Sequence, residues 1–596
     1  MCRIAGIFAP RHPDLPGAIL RMRDAMQHGG PDDAGTYLDA ELPLALGHRR
    51  LSIIDLSAAG HQPMADRQHG LQIIFNGEIY NYRALRRELQ AAGHSFQSQS
   101  DTEVLLKAYA EWGADSFQRL NGMFAFALFD QPKQELLLVR DHAGIKPLYY
   151  HQSGDRLVFA SEIRAFLAYD PNWPEQADWR TYLLTFGHLP EPVTTLRGVQ
   201  PLPAGHYYRY DLRQQRGYLS AYDREDYTAT IHHRTEAVAA VRQTLQESVQ
   251  RQLVADVPVG LFLSGGLDSS VLTLAARAEL GDRLQTTSIV FDEADYSEQV
   301  YQDMVIEASG ARHQAHTLTA GEFDGHFEDV LRAMDQPTND GINSYFVCKY
   351  ARQSGLTVAL SGLGADELLG GYPSFQRARY LPYLRSARPY VLRKMQQLAA
   401  DRWRKLAFLS LPGPVGEYLF YRGMHLPAAT ARLTGQSEAA VWQTLEDFAA
   451  ASADPPLHGG NRVSWIEQHF YMRNQLLKDT DAMSMWHSLE VRVPYLDREF
   501  LRCVRSIAPG LKFHGEHPKE LLIQAYKKEL PRAVWDRPKK GFTFPFAEWF
   551  RHSARLQEAP AAFTPLRDQF LQKRLSWARL WVAYLALQPK GHAVLK

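Results

Sequence analysis

The segment that decides the fold reads VPVGLFLSGGLDSSVLTLAARAEL and spans residues 257–280. VPVGLFL has the apolar, β-prone composition of a buried strand, and SSVLTLAARAEL is typical of a helix. Between them, the two glycines of SGGLDSS (264–270) let the backbone approach an anion, and the N–H groups that open the helix favour negative charge. Asp268 would repel a bare phosphate, so we expect it to bind a bridging Mg²⁺. The sequence contains no G-x-x-x-x-G-K-[ST] motif, so this phosphate loop is not of the Walker type.

Two further strand patterns follow this unit, TTSIVF (286–291) and LTVAL (356–360), and a helix-like stretch begins at Ser297 between them. Strand, helix and strand at this spacing predict βαβ units and a parallel sheet, with ligands at the carboxyl ends of the strands. A second glycine-rich loop, SGLGADELLGGY (361–372), follows LTVAL and should face the same crevice. From about Tyr380 onward the pattern is mostly helical.

The first 210 residues differ, because short strands alternate there with turns. Helices are predicted over 81–90 and 102–112, and this mixture favours an α+β layered domain. The segment 202–217 loses periodicity, so we place a linker there. The strands are predicted at 71–75, 122–130 and 135–139. The predicted boundaries are a first domain at 2–210, a linker at 211–232, and a second domain at 233–596 with a helical insertion at 375–460.

Composition narrows the class of protein. The 596 residues are 45% hydrophobic and 22% charged, which is typical of a globular chain. Lys plus Arg equals Asp plus Glu at 66 each, so no overall field would recruit nucleic acid. No apolar run approaches the roughly 20 residues of a membrane span, and MCRIAGIFAP is a poor secretory signal. Three scattered cysteines exclude a disulfide framework. We expect a cytoplasmic protein.

The cysteine at position 2 has its own chemistry. Removal of the initiator Met before a small residue would place a thiol and a free α-amine on Cys2. Their ordinary pKa values, roughly 8.5 and 7.7–8.0, are close enough for the amine to accept the thiol proton and activate a nucleophile. A small, merely apolar cysteine is the alternative, and position alone does not decide between them.

Four segments decide it: RLSIID (50–55), NGEIYN (76–81), SDTE (100–103) and RDHAGIKPLYY (140–150). In this order they resemble the glutaminase domain of class II amidotransferases, which are N-terminal-nucleophile (Ntn) hydrolases with a four-layer αββα fold. The resemblance implies that Cys2 attacks glutamine, that Arg50 binds its α-carboxylate, and that Glu78 and Asp101 bind its α-ammonium. It also implies an oxyanion hole from the Asn76 amide and the Gly77 N–H. The family usually has HRGPD where this chain has HGGPD, with Gly29 in place of Arg.

The second half of the chain resembles the ATP pyrophosphatases, which adenylate a substrate on a Rossmann-like parallel sheet, and among them the asparagine synthetases. The matching segments are SGGLDSS, SGLGADELLGGY, SMWHSLEVRVPYLD (484–497) and RPKKGF (537–542). By this resemblance Asp268 and Asp366 bind Mg²⁺, and Lys539 stabilises charge on the activated phosphate. The implied ATP-binding residues are Leu263, Ser264, Gly265, Gly266, Asp268, Ser269, Ile289, Ser361 and Gly362.

One position departs from that pattern. Leu363 stands where asparagine synthetases carry an acidic residue linked to adenylate formation and the ammonia proton, and leucine can do neither. Either Glu367 or the phosphate replaces it, or the acceptor differs. DQPTNDGINSY (335–345) should line the acceptor site. Nine Arg or Lys residues against one Asp lie within 376–406, and we expect the solvated face of added helices there rather than a surface for an anionic or lipid-linked acceptor.

These features predict ATP- and glutamine-dependent amidation of a carboxylate, with aspartate as first candidate and a sugar-acid or peptide carboxylate as the rival. A glutaminase fused to another transferase is disfavoured by SGGLDSS, and a binding protein is disfavoured by two intact sites. Because ammonia is protonated in water, a dry passage between the domains is expected. A homodimer is the assembly usual among the proteins that it resembles.

Overall fold

The computed structural model describes residues 2–385, 388–398, 400–541, 543–553 and 563–588. The N-terminal half contains twelve strands, β1 to β12 in chain order. They are Arg3–Phe8, Asp33–Leu38, Leu44–Arg50, Met64–Asp66, Leu71–Ile79, Gly122–Asp130, Glu135–Arg140, Tyr149–Ser153, Arg156–Ala160, Gln200–Pro201, His206–Asp211 and Arg216–Ala221. All pair antiparallel, in two six-stranded sheets ordered β10-β8-β9-β1-β3-β2 and β12-β11-β7-β6-β5-β4.

The two sheets pack face to face, and helices cover both outer faces. Side chains such as Phe8 of β1 and Phe129 of β6 form the buried layer between the sheets. Leu15–Asp24 and Ile163–Tyr169 cover the first sheet. Tyr82–Ala91 and Asp101–Trp112 cover the second. The expected four-layer αββα Ntn architecture is therefore confirmed, because each sheet buries one apolar face against the other.

The segment 202–217 differs from expectation. It forms most of the hairpin β11–β12, paired from His206 with Ala221 to Asp211 with Arg216. The irregular chain therefore begins after residue 221 and not at 211. The reason is that β12 is an edge strand whose residues are mostly exposed, so it lacks the alternation that reveals a half-buried strand.

The second half is built on a parallel sheet, as predicted. Its strands, β13 to β17, are Val259–Phe262, Gln285–Val290, Arg312–Thr317, Val358–Leu360 and Glu490–Arg492. Their order is β15-β14-β13-β16-β17, and every pair is parallel. The longer helices around it are Arg234–Gln252, Leu267–Leu280, Gln299–Ser309, Ala320–Ala333, Ile342–Gln353, Lys478–Trp486, Arg498–Ser506 and Trp577–Leu587.

The predicted insertion at 375–460 is helical where it is described. Its helices are Pro373–Arg377, Leu381–Arg385, Pro389–Lys394, Asp401–Arg404, Gly413–Arg422, Pro427–Thr434 and Glu438–Ala451. Within its basic part, Arg385 pairs with Glu417 and Arg393 with Glu446. No helix in the described ranges combines the length and the apolar character that a bilayer crossing needs.

Candidate active sites

Cys2 lies immediately before β1, in the interior of the first domain. Its side chain is only 7% exposed, and its backbone N–H donates to Asn76 Oδ1 at 3.2 Å. Burial raises the pKa of the Cys2 thiol, although the nearby Arg50 opposes the rise. A thiol in this setting needs a base to become a nucleophile at neutral pH.

Asn76 and Gly77 lie on β5, beside Cys2. Asn76 Nδ2 is buried and has no hydrogen-bond partner among the described residues. A buried amide donor without a partner is costly, and an oxyanion would satisfy it. Gly77 has φ +155°, and a Cβ there would lie 2.1 Å from the carbonyl oxygen of Met123, so only glycine fits. Both predicted oxyanion residues are therefore brought to the nucleophile.

Arg50, at the end of β3, is fixed by the loop that follows it. Its guanidinium donates to the carbonyl oxygens of Ser57 (3.1 Å), Ile54 (3.3 Å) and Asp55 (2.5 Å). These bonds hold the planar group in one orientation, as binding of a carboxylate by two parallel hydrogen bonds requires. A Cβ at Gly60 would lie 2.0 Å from Arg50 Nη2, so a side chain there would displace the guanidinium.

Glu78 and Asp101 add buried negative charge. Burial raises the pKa of Asp101 to about 6, even though its carboxylate accepts the Ile79 N–H at 2.9 Å. Burial, followed by the charge of Glu490, also raises the pKa of Glu78 well above its usual value. A guanidinium close to both carboxyls opposes these pKa shifts, and a substrate ammonium would do the same.

That guanidinium belongs to Arg492, which lies in SMWHSLEVRVPYLD (484–497) but is not among the predicted site residues. Arg492 is fully buried, pairs with Glu490 at 2.6 Å and approaches Glu78 Oε1 at 3.5 Å. Its own carbonyl oxygen accepts the N–H of Ser361 at 2.8 Å, in the second glycine-rich loop. One residue of the second domain thus contacts both predicted sites. Its position in a segment that matches the family was the one feature of the sequence that could have indicated a functional role.

The predicted nucleotide residues meet at the carboxyl end of the parallel sheet, around a cavity of about 440 Å³. Gly265 does not line it; its φ is +77° and its carbonyl oxygen accepts from Arg537 at 2.9 Å, so it shapes the loop. The predicted residues that do line the cavity are Leu263, Ser264, Gly266, Asp268, Ser269, Ile289, Ser361, Gly362, Asp366 and Lys539.

Two lysines join the two predicted metal ligands. Lys519 Nζ donates to Asp268 at 2.7 Å and to Asp366 at 2.7 Å, and Lys539 Nζ lies 2.6 Å from Asp366. Burial opposes ionisation of Asp366, but the two lysines outweigh it and lower its pKa to about 2. Nothing in the sequence around Lys519 distinguished it from a surface lysine.

The donor set also limits the metal that this cavity can hold. Within the described ranges no group of three or more His, Cys, Asp or Glu could hold a metal ion. Two carboxylates do suit Mg²⁺ when phosphate oxygens complete its shell.

Glu367 lines the same cavity as Leu363, the position without the usual carboxylate. It accepts a hydrogen bond from the Tyr372 hydroxyl at 2.7 Å. Burial and the charge of Asp366 raise the pKa of Glu367 to about 7. A carboxylate with this pKa can take up a proton near neutrality.

A second, larger cavity adjoins the nucleotide cavity and measures about 1550 Å³. Leu363, Lys539 and Asn343 line both cavities, so the two are continuous. Of the predicted acceptor segment 335–345, Asn339, Asp340, Asn343 and Ser344 line the larger cavity.

Between Cys2 and the nucleotide loops lies an apolar cluster from both domains. Leu51, Met123 and Ile145 of the first domain pack there with residues such as Leu263 and Val493 of the second. This composition would keep a path between the sites free of water.

Two protein families match this chain, one in each half. A family described as Glutamine amidotransferase domain matches residues 1–222, and one described as Asparagine synthase matches residues 240–576. Asparagine synthetase [glutamine-hydrolyzing] 1 of Bacillus subtilis is 32% identical over 579 residues, covering 93% of this chain and 88% of that protein. Asparagine synthetase [glutamine-hydrolyzing] 3 of the same organism is 32% identical over 578 residues, covering 91% and 87%. A putative asparagine synthetase [glutamine-hydrolyzing] of Mycobacterium bovis is 32% identical over 595 residues, covering 94% and 88%.

Proposed function

The chain belongs to the asparagine synthase family, and we propose that it transfers the amide nitrogen of glutamine to a carboxylate that ATP has activated as an acyl-adenylate. The observation that carries the proposal is the pairing of two sites in one chain. One holds a buried thiol beside an amide donor that has no partner among the described residues. The other holds two glycine-rich loops whose aspartates, Asp268 and Asp366, meet two lysines.

In the first site Cys2 is the nucleophile, once Met1 has been removed. Its α-amine takes the thiol proton, and the sulfur attacks the amide carbon of glutamine. Asn76 Nδ2 and the Gly77 N–H stabilise the tetrahedral oxyanion, while Arg50 binds the α-carboxylate and Glu78 and Asp101 the α-ammonium. The α-ammonium of Cys2 returns the proton to the amide nitrogen, the C–N bond breaks and ammonia leaves. Water then hydrolyses the thioester to glutamate and regenerates the Cys2 thiol.

In the second site an oxygen of the acceptor carboxylate attacks the α-phosphorus of ATP, and pyrophosphate leaves. Lys519 and Lys539 stabilise the charge on the phosphates, and Leu263 and Ile289 flank the adenine. Asp268 and Asp366 would hold Mg²⁺, which supplies charge neutralisation at the pyrophosphate. Ammonia attacks the acyl carbon, AMP leaves with the bonding electrons, and Glu367 takes the surplus proton.

Aspartate is the first acceptor to test, because the relatives' names point to asparagine synthesis. The ammonia must reach the adenylate unprotonated, and the apolar cluster that contains Leu51, Met123 and Leu263 supports a dry path. We also propose a cytoplasmic enzyme, where glutamine and ATP are supplied, and a homodimer.

The experiment supplies ATP, Mg²⁺, aspartate and glutamine with an isotopically labelled amide nitrogen. The proposal predicts labelled amide product together with AMP and pyrophosphate in equal amounts. Release of ADP and phosphate instead, or glutamine turnover without nucleotide cleavage for every carboxylate offered, would contradict it. The second candidate, the same reaction on a larger carboxylate, is favoured by the size of the larger cavity.

A further inference from the structure

The larger cavity is built for more than a free amino acid. Its volume of about 1550 Å³ exceeds the roughly 300–1,000 Å³ typical of pockets that enclose drug-sized ligands. The nucleotide has its own cavity of about 440 Å³ beside it. Aspartate placed against Leu363 and Lys539 would leave most of the larger space to water.

The charge of the cavity wall is unbalanced. Its acidic residues are Asp340, Asp366 and Asp479. Its basic residues are Arg404, Lys405, Arg422, Arg432, Lys539, Lys573, Arg574 and Arg579. All of these bases except Lys539 belong to the part of the wall that the nucleotide cavity does not share.

Several of these bases are available to a ligand. Arg432, Lys573 and Arg574 are exposed, and none of the three has an ion-pair partner among the described residues. By contrast, Arg422 is held by Glu467 at 2.7 Å and stacks on Tyr471. Exposed cations that line a cavity attract anionic ligands into it.

Two buried polar atoms also lack partners. Asn343 Oδ1 and the hydroxyl of Tyr421 are both buried without a hydrogen bond within the described residues, and both residues line this cavity. Buried polar groups are rarely left unpaired, so each is a position where a bound molecule would be recognised. Asn343 also lines the nucleotide cavity, which places it at the junction where the carboxylate is activated.

We propose that the acceptor is a carboxylate borne by a molecule larger than an amino acid that carries a further anionic group such as a phosphate. This inference rests on the proposed function and specifies its acceptor. The carboxylate lies at the junction beside Lys539, and the rest of the molecule extends along the wall that contains Arg432, Lys573 and Arg574.

The test is exchange of labelled pyrophosphate into ATP, which needs neither glutamine nor Cys2. Three carboxylates are compared: aspartate, glucuronate, and UDP-glucuronate, which adds phosphates to the sugar acid. We expect UDP-glucuronate to give kcat/KM at least about tenfold above aspartate, with glucuronate well below UDP-glucuronate. The variant Lys573→Ala/Arg574→Ala should lower kcat/KM for UDP-glucuronate about tenfold and leave glutamine hydrolysis unchanged. Lys528→Ala, an exposed lysine outside the cavity, should change neither rate.

Failure of the large anionic acceptor and failure of the proposed function give different results. If aspartate is activated best and the double variant changes nothing, the large anionic acceptor is wrong while the proposed function stands. If no carboxylate, aspartate included, supports exchange, the proposed function itself fails.

A different observation concerns Arg3, the neighbour of the nucleophile. A Cβ built on Gly29 would lie 2.7 Å from Arg3 Cγ and 2.8 Å from Arg3 Nε. The Arg3 side chain therefore fills the space that a side chain at position 29 would enter. Gly29 is the position where the family's HRGPD motif has an arginine. In this chain the guanidinium in that space belongs to Arg3 instead.

Arg3 joins the two domains where they meet. It is fully buried and pairs with Glu162 at 2.5 Å in the first domain and with Asp481 at 2.7 Å in the second. Lys146 adds a second contact to Asp481 at 2.8 Å. Thr480, next to Asp481, lines both the nucleotide and the larger cavity. A short chain of contacts thus leads from Cys2 to the wall that the nucleotide cavity and the larger cavity share.

We infer that Arg3 replaces the arginine missing at position 29 and acts as a positioning residue that keeps glutamine hydrolysis coupled to amide formation. The measured quantity is the number of glutamine molecules hydrolysed per amide formed. This inference also rests on the proposed function. Arg3→Gly should raise this ratio at least about fivefold, and Arg3→Gly/Gly29→Arg should restore it towards the wild-type value. Arg11→Gly, whose side chain is 92% exposed, is the matched control and should leave it unchanged.

Arg3→Lys covers the case in which Arg3→Gly does not fold, and it should raise the ratio by a smaller factor. A swapped variant that is folded and as uncoupled as Arg3→Gly would overturn the inference. So would an Arg3→Gly variant that is as tightly coupled as the wild type.

Discussion

Asn76→Ala is the substitution whose effect the structure specifies best. The Asn76 Nδ2 group has no partner in the described part of the chain, and its Oδ1 accepts one bond, from the Cys2 N–H at 3.2 Å. Removing one oxyanion donor costs roughly 100- to 1,000-fold in kcat, about 2.7–4 kcal/mol of transition-state stabilisation. The single lost hydrogen bond contributes only about 1 kcal/mol to folding. We therefore expect a folded protein with severely reduced glutaminase activity.

The assay measures glutamate release from glutamine and, separately, amide formation from ammonium. Asn76→Ala should lose the first by about two to three orders of magnitude and retain the second. Asn81→Ala is the matched control, because Asn81 lies in the same NGEIYN segment and donates instead to the Arg119 carbonyl oxygen. A folded Asn76→Ala variant that hydrolyses glutamine within tenfold of the wild-type rate would refute the assignment.

Three further predictions concern charged groups. Arg492→Gln removes the buried cation that pairs with Glu490 and approaches Glu78, so urea unfolding should show a loss of about 3–5 kcal/mol. Glu367 has a folded pKa of about 7, above that of an unfolded glutamate, so its contribution to stability is complete below about pH 4 and is lost as the pH rises through 7. This amounts to about 3 kcal/mol, and Glu367→Gln should remove that part of the pH dependence of unfolding. Lys539→Ala should abolish pyrophosphate exchange while glutamate release from glutamine continues, and equal loss of both activities would contradict separate sites.

The order of apolar and glycine residues was enough to predict the strand-loop-helix unit at 259–280 and the parallel sheet around it. Apolar runs and glycines determine the local backbone conformation within a few residues. The αββα layers followed from resemblance rather than from periodicity. The hairpin strand 216–221 was missed because an exposed edge strand lacks alternation.

The parts of the site that sequence did not predict depend on contacts between distant residues. Lys519 meets Asp268 across 251 residues, and Arg3 meets Asp481 across 478. Nothing in the sequence near Lys519 indicates that it pairs with both aspartates, and only the folded structure shows that Arg3 occupies the space beside Gly29. The larger cavity likewise could not be predicted, because its lining residues come from segments far apart in the sequence.

The most direct measurement of the central claim compares Cys2→Ala with the wild-type enzyme, using glutamine or ammonium as nitrogen source. We expect the variant to form no amide from glutamine but to form amide, AMP and pyrophosphate from ammonium at the wild-type rate. A folded Cys2→Ala variant that still uses glutamine, or that has lost the ammonium reaction as well, would contradict a nucleophile whose ammonia is consumed at a separate adenylating site.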